Sequence, residues 1–139
     1  YAHTPDSMVN VLRTVKEFAK GRTVAVFGCG GDRDRTKRPL MGKAAADWSD
    51  FAVVTTDNPR TEQPEAIIEE ILPGFAGSAT PYQVVVDRVE AIHWAMDHAQ
   101  KEDVIVLCGK GHETYQEIQH VKHHLDEREI VAEYLAAGH

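Results

Sequence analysis

Phe51-Ala52-Val53-Val54-Thr55-Thr56 runs directly into Asp57-Asn58-Pro59-Arg60. The first six residues are short, apolar and β-branched, which predicts a buried strand. The next four put a carboxylate, an amide and a guanidinium on a Pro-stiffened turn at its carboxyl end. In open α/β sheets, ligands bind at that edge. The arginine fork can grip a carboxylate or phosphate with two bonds. Asp57 can accept from an ammonium group, and Asn58 adds a neutral donor. One small zwitterion would satisfy all three. A plain Asx-Pro turn with a surface arginine fits the same four residues.

The elements around this stretch alternate. A helix is expected over 7–20, capped by Thr4 or Asp6, with Met8, Val9, Leu12, Val15 and Phe18 at helical spacing and Gly21 as its stop. A strand at Thr23–Phe27 leads into Gly28-Cys29-Gly30-Gly31 and a charged loop. Pro39 suits the first turn of a helix reaching Trp48. After the central strand come a helix over 62–72, a Gly/Pro/Ser/Thr loop over 73–81, a strand over 82–86 and a helix over 88–99. The run 103–107 is apolar enough to be covered on both faces. Residues 114–121 suggest an edge strand, and Asp126-Glu127-Arg128-Glu129 has the spacing of a capping box that opens a last helix to about Ala136. Short strands alternating with helices predict an α/β fold with a mostly parallel sheet flanked by helices. The 139 residues suit one domain with a real core.

With 42% hydrophobic and 27% charged residues, the composition is that of a globular protein. The net charge of −7 argues against a dedicated nucleic-acid binder, although lysine and arginine cluster between Arg33 and Lys43. No apolar run approaches the roughly 20 residues that span a bilayer, so no membrane insertion is expected. Cys29 and Cys108 are too few for a disulfide framework and read as buried or half-buried free thiols in a reducing cytosol. The opening, Tyr1-Ala2-His3-Thr4-Pro5-Asp6, has no initiator Met and suggests a piece excised from a longer chain.

Three loops follow predicted strands: 28–38, 57–60 and 109–113. In a parallel sheet they emerge at one edge. Gly28, Gly30 and Gly31 lack the third spaced glycine of a dinucleotide fingerprint, and no Gly-Lys-Ser/Thr of a nucleotide P-loop occurs. Arg33 and Arg38 read better as anion clamps, with solvated surface charge as the alternative. In Gly109-Lys110-Gly111-His112-Glu113, the glycines allow close backbone approach, Lys110 suits an anion and Glu113 an ammonium. The histidines His120, His123 and His124 do not form a closed metal site by spacing, and no metal ligands are assigned.

In this order, the opening hexapeptide, the Gly-Cys-Gly-Gly-Asp-Arg-Asp loop with Lys37-Arg38-Pro39-Leu40-Met41, Asp57-Asn58-Pro59-Arg60 and Gly109-Lys110-Gly111-His112-Glu113 resemble the C-terminal domain of the Mur ligases, and within that family its diaminopimelate-adding branch. The resemblance covers essentially the whole chain. It implies a Rossmann-like fold and a part in making peptidoglycan precursor in the bacterial cytoplasm. There ATP, with Mg2+, activates the terminal carboxylate of UDP-MurNAc-L-Ala-D-Glu, and the amine of meso-diaminopimelate attacks the acyl phosphate. It also implies that the P-loop, the metal ligands, a carbamylated lysine and the UDP-MurNAc-dipeptide site lie on other domains, so this chain alone should not catalyse ligation.

The resemblance further implies that Arg60 grips the distal carboxylate of meso-diaminopimelate, with Asp57 and Asn58 beside it. Gly109 (through its backbone) and Glu113 would receive the distal ammonium, and Arg33 would clamp the carboxylate at the reacting centre. His3, Thr4 and Asp6 would lie next to ATP. No contact is implied for Lys110 or His112. Two alternatives stay open: another amide ligase of the superfamily, such as a folylpolyglutamate or cyanophycin synthetase, and a non-catalytic amino-acid-binding module.

Overall fold

The computed structural model describes residues 4–108, 115–118 and 121–136, with 115–118 and 121–124 described through their backbone. Its elements are α1 (Pro5–Phe18), β1 (Thr23–Phe27), α2 (Lys37–Trp48), β2 (Phe51–Val54), α3 (Pro64–Ile71), a 3-10 turn (Leu72–Phe75), β3 (Tyr82–Val84), α4 (Arg88–Asp97), β4 (Val104–Leu107), β5 (Tyr115–Ile118), β6 (Val121–His124) and α5 (Glu127–Ala136).

Four strands form one all-parallel sheet in the order β3-β2-β1-β4. Phe27 pairs with Val54 and Val26 with Leu107, so β1 lies between β2 and β4. The side-chain alternation of the strands divides the core between the two faces. Ala25, Phe27, Ala52 and Val54 meet Met8 and Leu12 of α1, Met41 and Ala45 of α2, and Ile67, Ile68 and Ile71 of α3. Val24, Val26 and Val53 meet Ala91, Ile92 and Ala95 of α4 and Ile130 of α5. Coverage of both faces explains why β1 is apolar from Val24 to Phe27 and buried at every position.

The expected α/β architecture is therefore present, with differences at the margins. The first helix starts at Pro5 rather than 7, because Thr4 caps it: the Ser7 N–H donates to Thr4 Oγ1 at 3.1 Å. The loop expected from Pro73 begins as a 3-10 turn that buries Phe75. β4 is half-buried rather than enclosed, since it ends the described sheet. The edge strand expected over 114–121 is instead part of a separate antiparallel hairpin, β5–β6, with Tyr115 paired to His124 and Ile118 to Val121.

Candidate functional site

The site starts from a sheet register. β1 and β2 end side by side, and the Thr55 N–H still donates to the Phe27 carbonyl at 2.8 Å. The loops that follow therefore leave the sheet together. The Gly31 N–H donates to the Asn58 carbonyl at 2.7 Å, continuing the contact beyond the strands. Here the glycines serve close approach between two backbones. A Cβ on Gly31 would overlap the Pro59 carbonyl. A Cβ on Gly30 would lie 2.9 Å from Arg60 Nη1 and 3.4 Å from Arg33 Cγ, so the two arginines flank this glycine. The sequence placed Arg33 and Arg60 at one edge; the structure brings them to one residue.

Side chains staple these loops to each other. The Asp32 carboxylate accepts from the Thr61 hydroxyl at 2.5 Å and from the Thr61 N–H at 3.3 Å. The Asp32 N–H donates to Glu62 Oε2 at 2.6 Å. Arg60 Nη1 donates to the carbonyls of Gly31 at 2.9 Å and Asn58 at 3.3 Å. Asp32 and Arg60 have φ of 54° and 53°, in the left-handed region that L side chains seldom adopt. Such residues persist where their surroundings over-determine them, and the cross-loop bonds do that. Arg33 is exposed and donates from Nη1 to its neighbour's carbonyl, Asp32 O, at 3.1 Å. Asp57 and Asn58 are buried within the turn, at 6% and 4% exposure.

Arg38 corrects the sequence reading. It is not an anion clamp open to a ligand but a buried structural cation, 1% exposed. It donates to Glu62 at 2.7 and 3.0 Å, to Glu70 at 3.2 Å and to the Gly30 carbonyl at 3.0 Å. Arg35 completes the cluster with two 2.9 Å bonds to Glu70. The hydrogen bonds from Arg38 hold the Glu62 carboxyl at about 2, well below its ordinary value, and Arg35 pulls Glu70 down as well. Since Glu62 also receives the Asp32 N–H, it joins the cation to the loop staple.

At the amino end of α1, Thr4 uses its hydroxyl as the helix cap, and Asp6 is exposed in the first turn. Only four residues separate α1 from β1, so the helix runs back along the strand. Its amino end thus lies toward the edge where β1 and β2 end. His3, Gly109, Lys110, His112, Glu113 and His120 lie outside the described residues, as do the side chains of His123 and His124.

Residues 1–111 match the family described as Mur ligase, glutamate ligase domain. The chain belongs to the Mur ligase family. It is 55% identical over 98% of its length to the UDP-N-acetylmuramoyl-L-alanyl-D-glutamate–2,6-diaminopimelate ligase of Clostridioides difficile strain 630. Against the ligase of the same name from Bacillus cereus strain ATCC 14579, it is 51% identical over 96% of its length. The chain spans 28% and 27% of those two proteins. A solved structure of a ligase of this name superposes with a TM-score of 0.91 at 47% identity, covering 99% of the chain and 28% of that protein.

This Mur ligase domain carries one feature that the sequence reading missed. Arg88, the first residue of α4, is fully buried and bonds Glu127, the Thr56 carbonyl and the Cys108 carbonyl. One signal was available: a cation in the first turn of a helix opposes the macrodipole, so its placement calls for another partner. The two thiols are free, Cys29 half-buried and Cys108 buried, as expected. Burial pushes both up to about 12, which suppresses the thiolate that nucleophilic chemistry requires.

Proposed function

We propose that this chain holds the incoming amino acid, meso-diaminopimelate, in an ATP-dependent ligase that joins it to UDP-MurNAc-L-Ala-D-Glu in the bacterial cytoplasm. The observation that carries this reading is the convergence of Arg33 and Arg60 on Gly30, at the carboxyl edge of β1 and β2. Two arginines flanking one glycine at this edge suit a ligand with two carboxylates. A diamino diacid has them, and Gly109 and Glu113 would receive its distal ammonium. Asp57 and Asn58 orient the turn that presents Arg60. The names borne by the relatives agree with this chemistry.

Bound ATP, with Mg2+, supplies the phosphoryl group that makes the dipeptide's carboxylate reactive; the metal ligands and P-loop belong to parts of the enzyme outside this chain. The exposed Asp6 carboxylate at the amino end of α1 suits ribose hydroxyls, which donate, better than phosphates, which it repels. His3 and Thr4 would flank it. The domain's own work is positional. It anchors both carboxylates so that the reacting amine is held against the acyl group formed on its neighbour, which replaces a bimolecular encounter.

The test uses the full-length enzyme with two competing amino acids. Lysine lacks the second carboxylate, so wild type should favour diaminopimelate over lysine by on the order of a hundredfold in kcat/KM. Arg60→Lys, which loses the planar fork, should lower kcat/KM for diaminopimelate by a similar factor. An unchanged value would remove Arg60 from the pocket. The 139-residue chain alone should show no turnover with all three substrates present, and any measurable ligation would contradict the division of labour.

A further inference from the structure

Arg88 stands where two strand exits meet. Its guanidinium donates to the Thr56 carbonyl at 2.9 Å and to the Cys108 carbonyl at 2.8 Å. Thr56 immediately precedes the turn that carries Arg60, and Cys108 is where the chain leaves β4. These strands are not neighbours, because β1 lies between them. The sheet itself therefore places no hydrogen bond between β2 and β4, and the planar fork of Arg88 supplies the link. Glu127, opening α5, accepts from Arg88 at 2.9 and 3.3 Å and holds the fork in plane. The hydroxyls of Thr55 and Thr56 both donate to the Val86 carbonyl, at 3.2 and 3.1 Å, which ties the segment before α4 to the same exit.

Burying this charge is not the cheapest way to fill the space. Apolar side chains of similar volume commonly replace a buried ion pair with little loss of stability, whereas removing one partner is costly. What an apolar replacement cannot provide is directed bonds to two main-chain carbonyls. We propose that Arg88, oriented by Glu127, is a positioning residue that braces the base of the Arg60 turn against β4 and α5. The brace fixes where the Arg60 guanidinium stands relative to Arg33, and thereby sets the affinity for the amino acid. The proposal rests on the pocket reading above.

The experiment measures three KM values on the full-length ligase, for diaminopimelate, ATP and the UDP-dipeptide, together with the melting temperature. The double variant Arg88→Met/Glu127→Met removes the charged unit while keeping its volume. It should raise KM for diaminopimelate about tenfold and leave the other two within about twofold. Glu127→Gln keeps the guanidinium on both carbonyls and should shift the amino-acid KM by less than about threefold. If the double variant does not fold, Arg88→Lys, which keeps a cation against Glu127 without the planar fork, is judged on the same selective rise. An unchanged amino-acid KM in a folded variant overturns the proposal, as does a parallel change in all three constants. Wild-type enzyme that uses lysine as well as diaminopimelate would instead refute the pocket reading.

Discussion

Replacing Arg38 by methionine tests whether the loop staple depends on a buried cation. Arg38 is 1% exposed, but its carboxylate partners Glu62 and Glu70 keep 25% and 28% of their side-chain surface. Water can therefore take up part of what the carboxylates lose. Glu62 is held at about 2 against an ordinary 4.5, first by its hydrogen bonds from Arg38. That shift corresponds to about 3 kcal/mol in full, reduced to about 1–2 kcal/mol at this exposure by solvent screening. The lost bond to the Gly30 carbonyl adds about 1 kcal/mol. The substitution should cost about 2–3 kcal/mol, which for a chain of this length lowers the melting temperature by about 7–10 °C. The pH dependence gives an independent check. A depressed carboxyl stabilises the fold fully above its unfolded value and progressively less as pH falls toward its folded value. The wild-type advantage over Arg38→Met should thus be whole at pH 6 and shrink between about pH 4.5 and 2. Urea titrations of both proteins across this range read the gap directly. A gap that stays constant down to about pH 2.5 would show that Arg38 does not hold Glu62.

Gly31→Ala drives a methyl into the Pro59 carbonyl, so it should cost about 1–3 kcal/mol in denaturant titration and raise the amino-acid KM as the two loops separate. Asp32→Ala removes the carboxylate that receives Thr61 and leaves a left-handed backbone without its brace; the amino-acid KM should rise, with the UDP-dipeptide KM unchanged. Both thiols are held up to about 12 by burial, so an aromatic disulfide reagent at pH 8 should label the native chain far more slowly than a free cysteine, and label both thiols promptly after unfolding. Prompt labelling of both thiols in the native chain would contradict the half-buried placement of Cys29 and the buried placement of Cys108.

The sheet was legible because its signals are local. β-branched runs such as Val24-Ala25-Val26 and Ala52-Val53-Val54 alternate with helical periods, and the topology that follows ends β1, β2 and β4 at one edge. Errors arose where a tertiary neighbour decides the outcome. Pro73 and Gly74 read as loop, yet Phe75 finds a place in the core and draws the turn inward. β4 reads as fully enclosed, but its exposure depends on whether another strand lies beyond it, which no period in 103–107 records.

The arginines show the same limit more sharply. Arg33 and Arg38 lie five positions apart in one charged loop, and sequence offers the same reading for both. What separates them is distance along the chain to an acceptor. Glu62 and Glu70 reach Arg38 from 24 and 32 residues away, and Glu127 reaches Arg88 from 39. A guanidinium with carboxylates and main-chain carbonyls to bond is committed to the fold, whereas Arg33, among the described residues, donates to its neighbour's carbonyl and stays exposed. The arginines beside this sheet edge therefore divide into cations carried on the loops and cations that hold those loops in place. In this domain the second group, Arg38 and Arg88, is the more deeply buried, and its bonds to main-chain carbonyls frame the loops that carry Arg33 and Arg60.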